Sequence, residues 1–223
     1  MQDPNYVKKA FSRIADRYVV TNHVLSLGTD ILWRKKVGRI VAGWNPETIL
    51  DVATGTGDLA LEIQKKCPDT QVTGSDFCEE MLAYAAQSGV RETVVADAMA
   101  MPFDDDSFDG LTVAFGLRNM ADWSDALQEM YRVIKPKGHL LVLDFSLPTG
   151  VLRKPYRFYL NKVLPKIAGV MTGEGDAYEY LAGTIEQFPS GKEMTDLINS
   201  CGFTGASARP LTCGVASIYT ATA

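Results

Sequence analysis

Thr48-Ile-Leu-Asp-Val-Ala-Thr-Gly-Thr-Gly-Asp58 is the stretch on which the fold turns. The apolar run Thr48 to Thr54 reads as a short buried strand, and it empties into Gly55-Thr56-Gly57, a turn that opens a helix over Asp58 to Lys66. Glycine permits the tight turn and lets a ligand approach the backbone. The helix start behind it offers free N–H groups. Gln71 to Asp76 reads as the next strand, and it ends on a carboxylate 19 residues beyond Gly57. A carboxylate there can accept two hydrogen bonds from a ribose diol. Strand, glycine turn, helix and acid together describe a nucleoside-binding half-sheet, with its ligand where the strand order reverses.

The same alternation continues outward. Helices are expected over Glu79 to Gln87 and Trp123 to Ile134, and strands over Glu92 to Ala96, Phe108 to Phe115 and His139 to Phe145. Strands alternating with helices imply a parallel sheet covered on both faces. A helix from Lys192 to Cys201 precedes two closing strands, Phe203 to Ala208 and Val215 to Thr220. The gap between them is too short for a helical crossover, so they should pair antiparallel. Upstream, apolar spacing predicts helices over Tyr6 to Tyr18 and Asp30 to Ala42, the second stopped by Gly43. The expected organisation is one domain over residues 1–223, with a helical cap at 1–44 and an inserted lid at 147–190.

Composition sets the limits. The 223 residues are 46% hydrophobic and 22% charged, the balance of an ordinary globular protein. No apolar stretch reaches the length of a membrane span, and the first residues lack a signal-peptide core, so the chain is expected in the cytosol with reduced thiols. Its four cysteines and two histidines form no local cluster of zinc-binding spacing, so no metal is expected. A net charge of −5 argues against nucleic acid as a partner. The charge is unevenly spread: +5 over residues 1–44, −11 over 45–144, +5 over 145–173 and −4 over 174–223. The second basic segment alternates five cations with Leu, Tyr, Phe, Val and Ile and contains no acid. Two readings stand side by side, a segment that touches an anionic membrane surface transiently and a solvated lid packed on its own domain.

Taken alone, Gly55-x-Gly57-x-x-Ala60 also fits a dinucleotide loop. Against NAD and for S-adenosylmethionine stand Asp51 four residues before Gly55, Asp97-Ala98 at a strand end where an adenine amino group can be met, and no room for a separate substrate domain. With Met101 to Asp109 and Tyr131 to Val142, the ordered set resembles the class I S-adenosylmethionine-dependent methyltransferases. That resemblance implies a Rossmann-like, mostly parallel seven-stranded sheet with an antiparallel C-terminal hairpin. Tyr18 to Trp33, Phe115-Gly-Leu-Arg-Asn119, Arg132 to Ser146, Gly175 to Leu181 and Phe188-Pro189 narrow it. These resemble the UbiE-type C-methyltransferases of ubiquinone and menaquinone biosynthesis. The chain departs from that family's usual pattern at Val19, Thr21, Asp30, Ala114 and Lys137.

The resemblance implies methylation of a ring carbon of a reduced, prenylated quinol, demethylmenaquinol or the equivalent ubiquinone precursor. Ionising the neighbouring hydroxyl makes that carbon nucleophilic, and positioning with phenolate stabilisation lowers the barrier. By resemblance Arg118 and Asn119 orient the quinol oxygen and Tyr18 closes over the ring. The cofactor is expected at Asp51, Thr54, Gly55, Thr56, Gly57, Asp76, Met81, Asp97 and Ala98, with Cys78 beside Met81 in the adenine pocket. His139 and Asp144 are the other titratable candidates nearby. A purely structural reading stays open, in which Arg118 pairs with Asp122 and Tyr18 belongs to the core. A homodimer also stays open, as does peripheral attachment to the inner face of a membrane.

Overall fold

The computed structural model describes residues 28–163 and 183–223. Its strands are β1 (Thr48–Val52), β2 (Gln71–Asp76), β3 (Glu92–Val95), β4 (Phe108–Ala114), β5 (Ile134–Phe145), β6 (Thr204–Leu211) and β7 (Ala216–Thr222). They form one seven-stranded sheet in the order β3-β2-β1-β4-β5-β7-β6. The first five are parallel, and β7 runs antiparallel to both β5 and β6. The order reverses between β1 and β4, which places a crevice at their carboxyl ends.

Helices α1 (Asp30–Trp44), α2 (Asp58–Lys66), α3 (Glu79–Ser88), α4 (Trp123–Val133), α5 (Arg153–Phe158) and α6 (Lys192–Ser200) surround the sheet. The continuous apolar run in β5 is explained by its two covered faces. Leu141 and Leu143 enter the core shared with Val37 of α1 and Ile63 of α2. Leu140 and Val142, one residue out of phase, enter the core shared with Leu127 and Met130 of α4 and Ile198 of α6. Each such leucine removed from water contributes about 1.5–3 kcal/mol, and a one-residue slip would exchange the two sets.

The predicted elements recur with shifted ends. Gly43 lies inside α1, and the helix stops at Asn45 in the left-handed region at φ 50°. Asparagine tolerates that conformation, and Pro46 prevents continuation. Strand β5 begins at Ile134, which pairs with Phe108 ahead of a register shift. Lys137 takes φ 69° there, in the left-handed region that favours glycine. The helix expected over Tyr6 to Tyr18 lies outside the described residues, as does the lid between 164 and 182.

Gly57 illustrates how tightly the turn is packed. Its φ is +86°, and a Cβ there would lie 2.5 Å from Val90 Cγ2 and 3.1 Å from Ala85 Cβ. Left-handed strain and overpacking should together cost about 2–4 kcal/mol in Gly57→Ala. Urea unfolding should show that loss as a lower midpoint at unchanged slope; an unaltered midpoint would contradict the packing described.

Candidate active site

The carboxyl edge of β1 and β4 is strained where they meet. Ala53 and Phe115, just past the two strand ends, are non-glycine residues at φ 51° and φ 59°. Strain of this kind persists only where the surroundings hold it. Gly116 follows, and a Cβ on it would sit 2.5 Å from Ala53 Cβ. Only glycine lets the two loops touch here.

Beside this contact opens a cleft. Of the residues expected at the cofactor or the substrate, Gly55, Asp76, Met81, Asp97, Ala98 and Asn119 line it. Asp76 is 7% exposed. Its Oδ2 accepts from the Gly55 amide at 2.9 Å and its Oδ1 from the Cys78 amide at 3.0 Å. Burial pushes its carboxyl up, and those amides oppose the shift. Each carboxylate oxygen has a further lone pair for a hydroxyl. Asp97 is exposed and accepts from the Met99 amide at 2.9 Å. Cys78 is buried with its thiol 3.1 Å from Glu80, so it serves Asp76 through its backbone and not the cleft through sulfur.

The remaining expected cofactor residues separate from these. A smaller hollow shares Ala53 and Gly55 with the cleft and is lined by Arg34, Asp51, Thr54, Thr56 and Asp58. Asp51 is 1% exposed and accepts from Thr54 Oγ1 at 2.7 Å and Thr112 Oγ1 at 2.6 Å. Burial raises its pKa to about 6, against those hydroxyls and Arg34. Gly57 lines neither space. It is the residue at the start of α2, held against Ala85 and Val90.

Arg118 and Asn119 part company. Phe115-Gly-Leu-Arg-Asn119 ends in a single 3-10 turn over Leu117–Asn119, in which successive side chains point about 120° apart. Asn119 faces the cleft. Arg118 turns inward, 1% exposed, with Nη1 donating to Asp144 Oδ1 at 2.7 Å and to the Phe115 carbonyl at 2.6 Å. Its guanidinium also faces the Phe145 ring at 5.2 Å. The pairing with Asp122 does not occur, because Asp122 caps α4 through the Ser124 and Asp125 amides. His139 is not at the site. It lies near the amino end of the sheet, stacked on Trp44 with ring centroids 4.8 Å apart. Tyr18 lies outside the described residues.

Lining residues not foreseen from the sequence include Arg34, Phe77, Gly116 and Met120. Phe77 follows the strand-ending Asp76, and Gly116 and Met120 lie in or beside the Phe-Gly-Leu-Arg-Asn run, so adjacency was an available signal. Arg34 offered only its i,i+4 spacing from Asp30.

Comparison with known proteins agrees in fold and family. Residues 1–223 match the model of the ubiE/COQ5 methyltransferase family. Demethylmenaquinone methyltransferase of Thermus thermophilus is 41% identical over 215 residues, spanning 94% of this chain and 97% of that protein. The ubiquinone/menaquinone biosynthesis C-methyltransferase UbiE of Geotalea daltonii is 42% identical over 223 residues, spanning 96% and 94%. A SAM-dependent methyltransferase structure from Thermotoga maritima superposes with a TM-score of 0.68 at 19% identity, over 95% of this chain and 97% of that one. At that identity the likeness establishes a shared Rossmann-like fold.

The buried Asp51 carboxyl yields a pH-dependent prediction. Its folded pKa, about 6, lies above the ordinary aspartate value of 3.8. The native state therefore holds the proton more tightly, and stability falls as pH rises from about 4 to about 6 and is then level. Asp51→Asn removes that slope. The variant should gain on the native protein across this window, by up to about 3 kcal/mol above pH 7. Parallel stability curves from pH 4 to pH 8 would contradict a strained carboxylate.

Proposed function

The chain belongs to the ubiE/COQ5 methyltransferase family, and from that premise we propose its substrate, the residues that act on it and the surface on which it works. It is an S-adenosylmethionine-dependent C-methyltransferase of quinone biosynthesis. The proposed substrate is a reduced prenylated quinol, demethylmenaquinol foremost, in keeping with the names of the Thermus thermophilus and Deinococcus radiodurans relatives. The observation that carries the reading is the joint presence of Gly55, Asp76 and Asn119 on one cleft at the strand reversal.

The residues present fit the cofactor. Glycine at 55 with φ +57° leaves the backbone open to a ligand, with Met81 Cε only 3.6 Å from where a Cβ would stand. Asp76 takes the ribose hydroxyls, Asp97 the adenine amino group, and Met81, Phe77 and Ala98 the apolar faces of the base. S-adenosylmethionine supplies an electrophilic methyl group. Asn119 stands at the same cleft, and its amide donates to the quinol oxygen as that oxygen gains negative charge. A donor fixed before the reaction costs no reorganisation during it. Arg118 acts through others: the Phe115 carbonyl accepts from Arg118 Nη1 at 2.6 Å and from Asn119 Nδ2 at 3.3 Å. Arg118 is thus a positioning residue for the turn that presents Asn119, anchored by Asp144. Tyr18 is retained as the residue that closes over the ring.

The site also needs access to a lipid-borne substrate. Among the described residues no helix is long and apolar enough to cross a membrane. The segment after β5 instead exposes Val151 (90%), Leu152 (46%) and Phe158 (65%), and Arg153, Lys154 and Lys162 beside them are exposed too. Arg157 is committed elsewhere, its Nε 2.8 Å from Glu186 Oε1. Exposed apolar side chains ringed by cations suit an anionic bilayer surface. These exposures support a reading in which the enzyme works peripherally on a membrane, with residues 147–190 as the inserted lid of a single domain capped by residues 1–44.

Methyl-labelled S-adenosylmethionine with reduced demethylmenaquinone should give ring-labelled menaquinol by mass spectrometry. Binding of S-adenosylhomocysteine without any transfer to a quinol would sink the substrate. Asp76→Ala should weaken S-adenosylhomocysteine about ten- to hundred-fold. Asn119→Ala should instead lower kcat by about 10²–10³ and change that affinity less than Asp76→Ala does.

Vesicles containing phosphatidylglycerol test the surface. The protein should sediment with them at low salt and be released at high salt. Replacing Arg153 and Lys154 with Gln and Phe158 with Ala should reduce sedimentation and slow turnover of long-chain quinols, while sparing a short soluble analogue. Equal losses on both substrates would remove the membrane from the account.

A further inference from the structure

The hollow beside the main cleft is bipolar. One wall is the Arg34 guanidinium, 8% exposed and 5.5 Å from the Phe115 ring centroid. The same space is lined by Asp51, Thr54 and Thr56, the first a buried acid and the other two hydroxyl-bearing. Arg34 Nη1 is held by Asp30 within the same helix. Its Nη2 lies 3.6 Å from Asp58 Oδ2, beyond the 2.7–3.2 Å of an ordinary N–H···O bond. The guanidinium is therefore buried, anchored on one side and loosely matched on the other. Arginine forks are suited to accepting a carboxylate through two parallel bonds.

Ala53 and Gly55 border both spaces. An adenosine seated in the cleft would continue past them into the hollow. The part of S-adenosylmethionine beyond its sulfur is a zwitterion, an ammonium and a carboxylate on one carbon. A space lined by both a buried guanidinium and a buried acid offers a partner to each of those charges.

We propose that Arg34 of α1 takes the carboxylate of the cofactor's aminocarboxypropyl arm, exchanging its long contact with Asp58 for a bidentate one. Cofactor loading then fastens α1 to the glycine turn. The proposal rests on the cofactor assignment above and adds to it a residue from outside the motifs. Asp51 receives the ammonium, which favours its ionised form. Helix α1 immediately precedes β1 and packs on α2 through Val37 and Val41. A ligand held between Arg34 and the turn therefore bridges two helices and the central strand.

Titration calorimetry with three ligands tests this without turnover. S-adenosylhomocysteine carries the whole arm, its decarboxylated analogue lacks only the carboxylate, and 5′-methylthioadenosine lacks the arm's charged end. The unaltered protein should bind S-adenosylhomocysteine about ten- to hundred-fold more tightly than the decarboxylated analogue. Arg34→Met should erase most of that ratio and leave methylthioadenosine affinity within two-fold. Hydrogen exchange in α1 should slow with S-adenosylhomocysteine and not with methylthioadenosine. Equal binding of the first two ligands by the unaltered protein would overturn the proposal even if the variant did not fold. Parallel loss of all three ligands in a folded Arg34→Met would make Arg34 structural, and that too would overturn it. Failure of the unaltered protein to bind any of the three would instead remove the cofactor assignment itself.

Discussion

The Asp51 carboxylate is tied at both ends to hydroxyls from different parts of the chain. Thr112 reaches it from β4 at 2.6 Å and Thr54 from the glycine turn at 2.7 Å. It sits where the sheet reverses direction, with β2 on one side of β1 and β4 on the other. Burying a carboxylate there is costly, and two hydroxyl donors offset only part of that cost, which is why its pKa climbs to about 6. The arrangement nonetheless fixes three things together. It binds the two central strands at their carboxyl ends, sets the start of the glycine turn, and holds Ala53 at φ 51° against Gly116. The site's floor and the centre of the core are the same atoms.

Two other buried acids occupy the same edge, each compensated differently. Asp76 at the end of β2 is held by backbone amides, and Asp144 near the end of β5 by the Arg118 guanidinium. Amide donors are fixed by the fold and cannot leave. They suit an acid that must keep lone pairs for a ligand. A guanidinium satisfies its acid locally and neutralises it, which suits an anchor beneath the site. Breaking such a buried pair leaves an uncompensated charge at a cost of about 3–5 kcal/mol. A loss of activity on removing Arg118 would therefore mix disorder of the turn with any change in chemistry.

The regular elements were legible because their signals are local. Gln71 to Asp76 and Asp58 to Lys66 appear with the boundaries that glycine, charge and apolar run indicate. The continuous apolar run in β5 accords with its two covered faces. Side-chain direction in the short turn was not legible, since Leu117–Asn119 has no period from which to read it. Arg118 and Asn119 are neighbours in sequence and face opposite ways. Partnerships across the sequence were equally hidden: Asp144 lies 26 residues from Arg118 and Asp58 lies 24 from Arg34. His139 was recoverable. It precedes Asp144 by five residues in one strand, about 16 Å at the usual rise, so the two could not both stand at the carboxyl edge.

The surface segment and the site are joined through the core and not merely through the chain. Leu160, on the inner side of the segment that exposes Phe158, is 1% exposed and belongs to the same apolar cluster as Trp33, Phe115 and Phe145. Ile185, further along the chain, is in that cluster too. Phe115 and Phe145 stand with ring centroids 4.8 Å apart, one leading into the turn that presents Asn119 and the other following Asp144. Close-packed interiors transmit displacement because they have little room to absorb it. A displacement of α5 would press on Leu160 and, through it, on the aromatic pair under the site. The cheapest arrangement leaves α5 rigid and lets only its outward side chains adapt. Arg157 serves that end: its ion pair with Glu186 ties the segment to that later stretch of chain, while Arg153 and Lys154 face solvent.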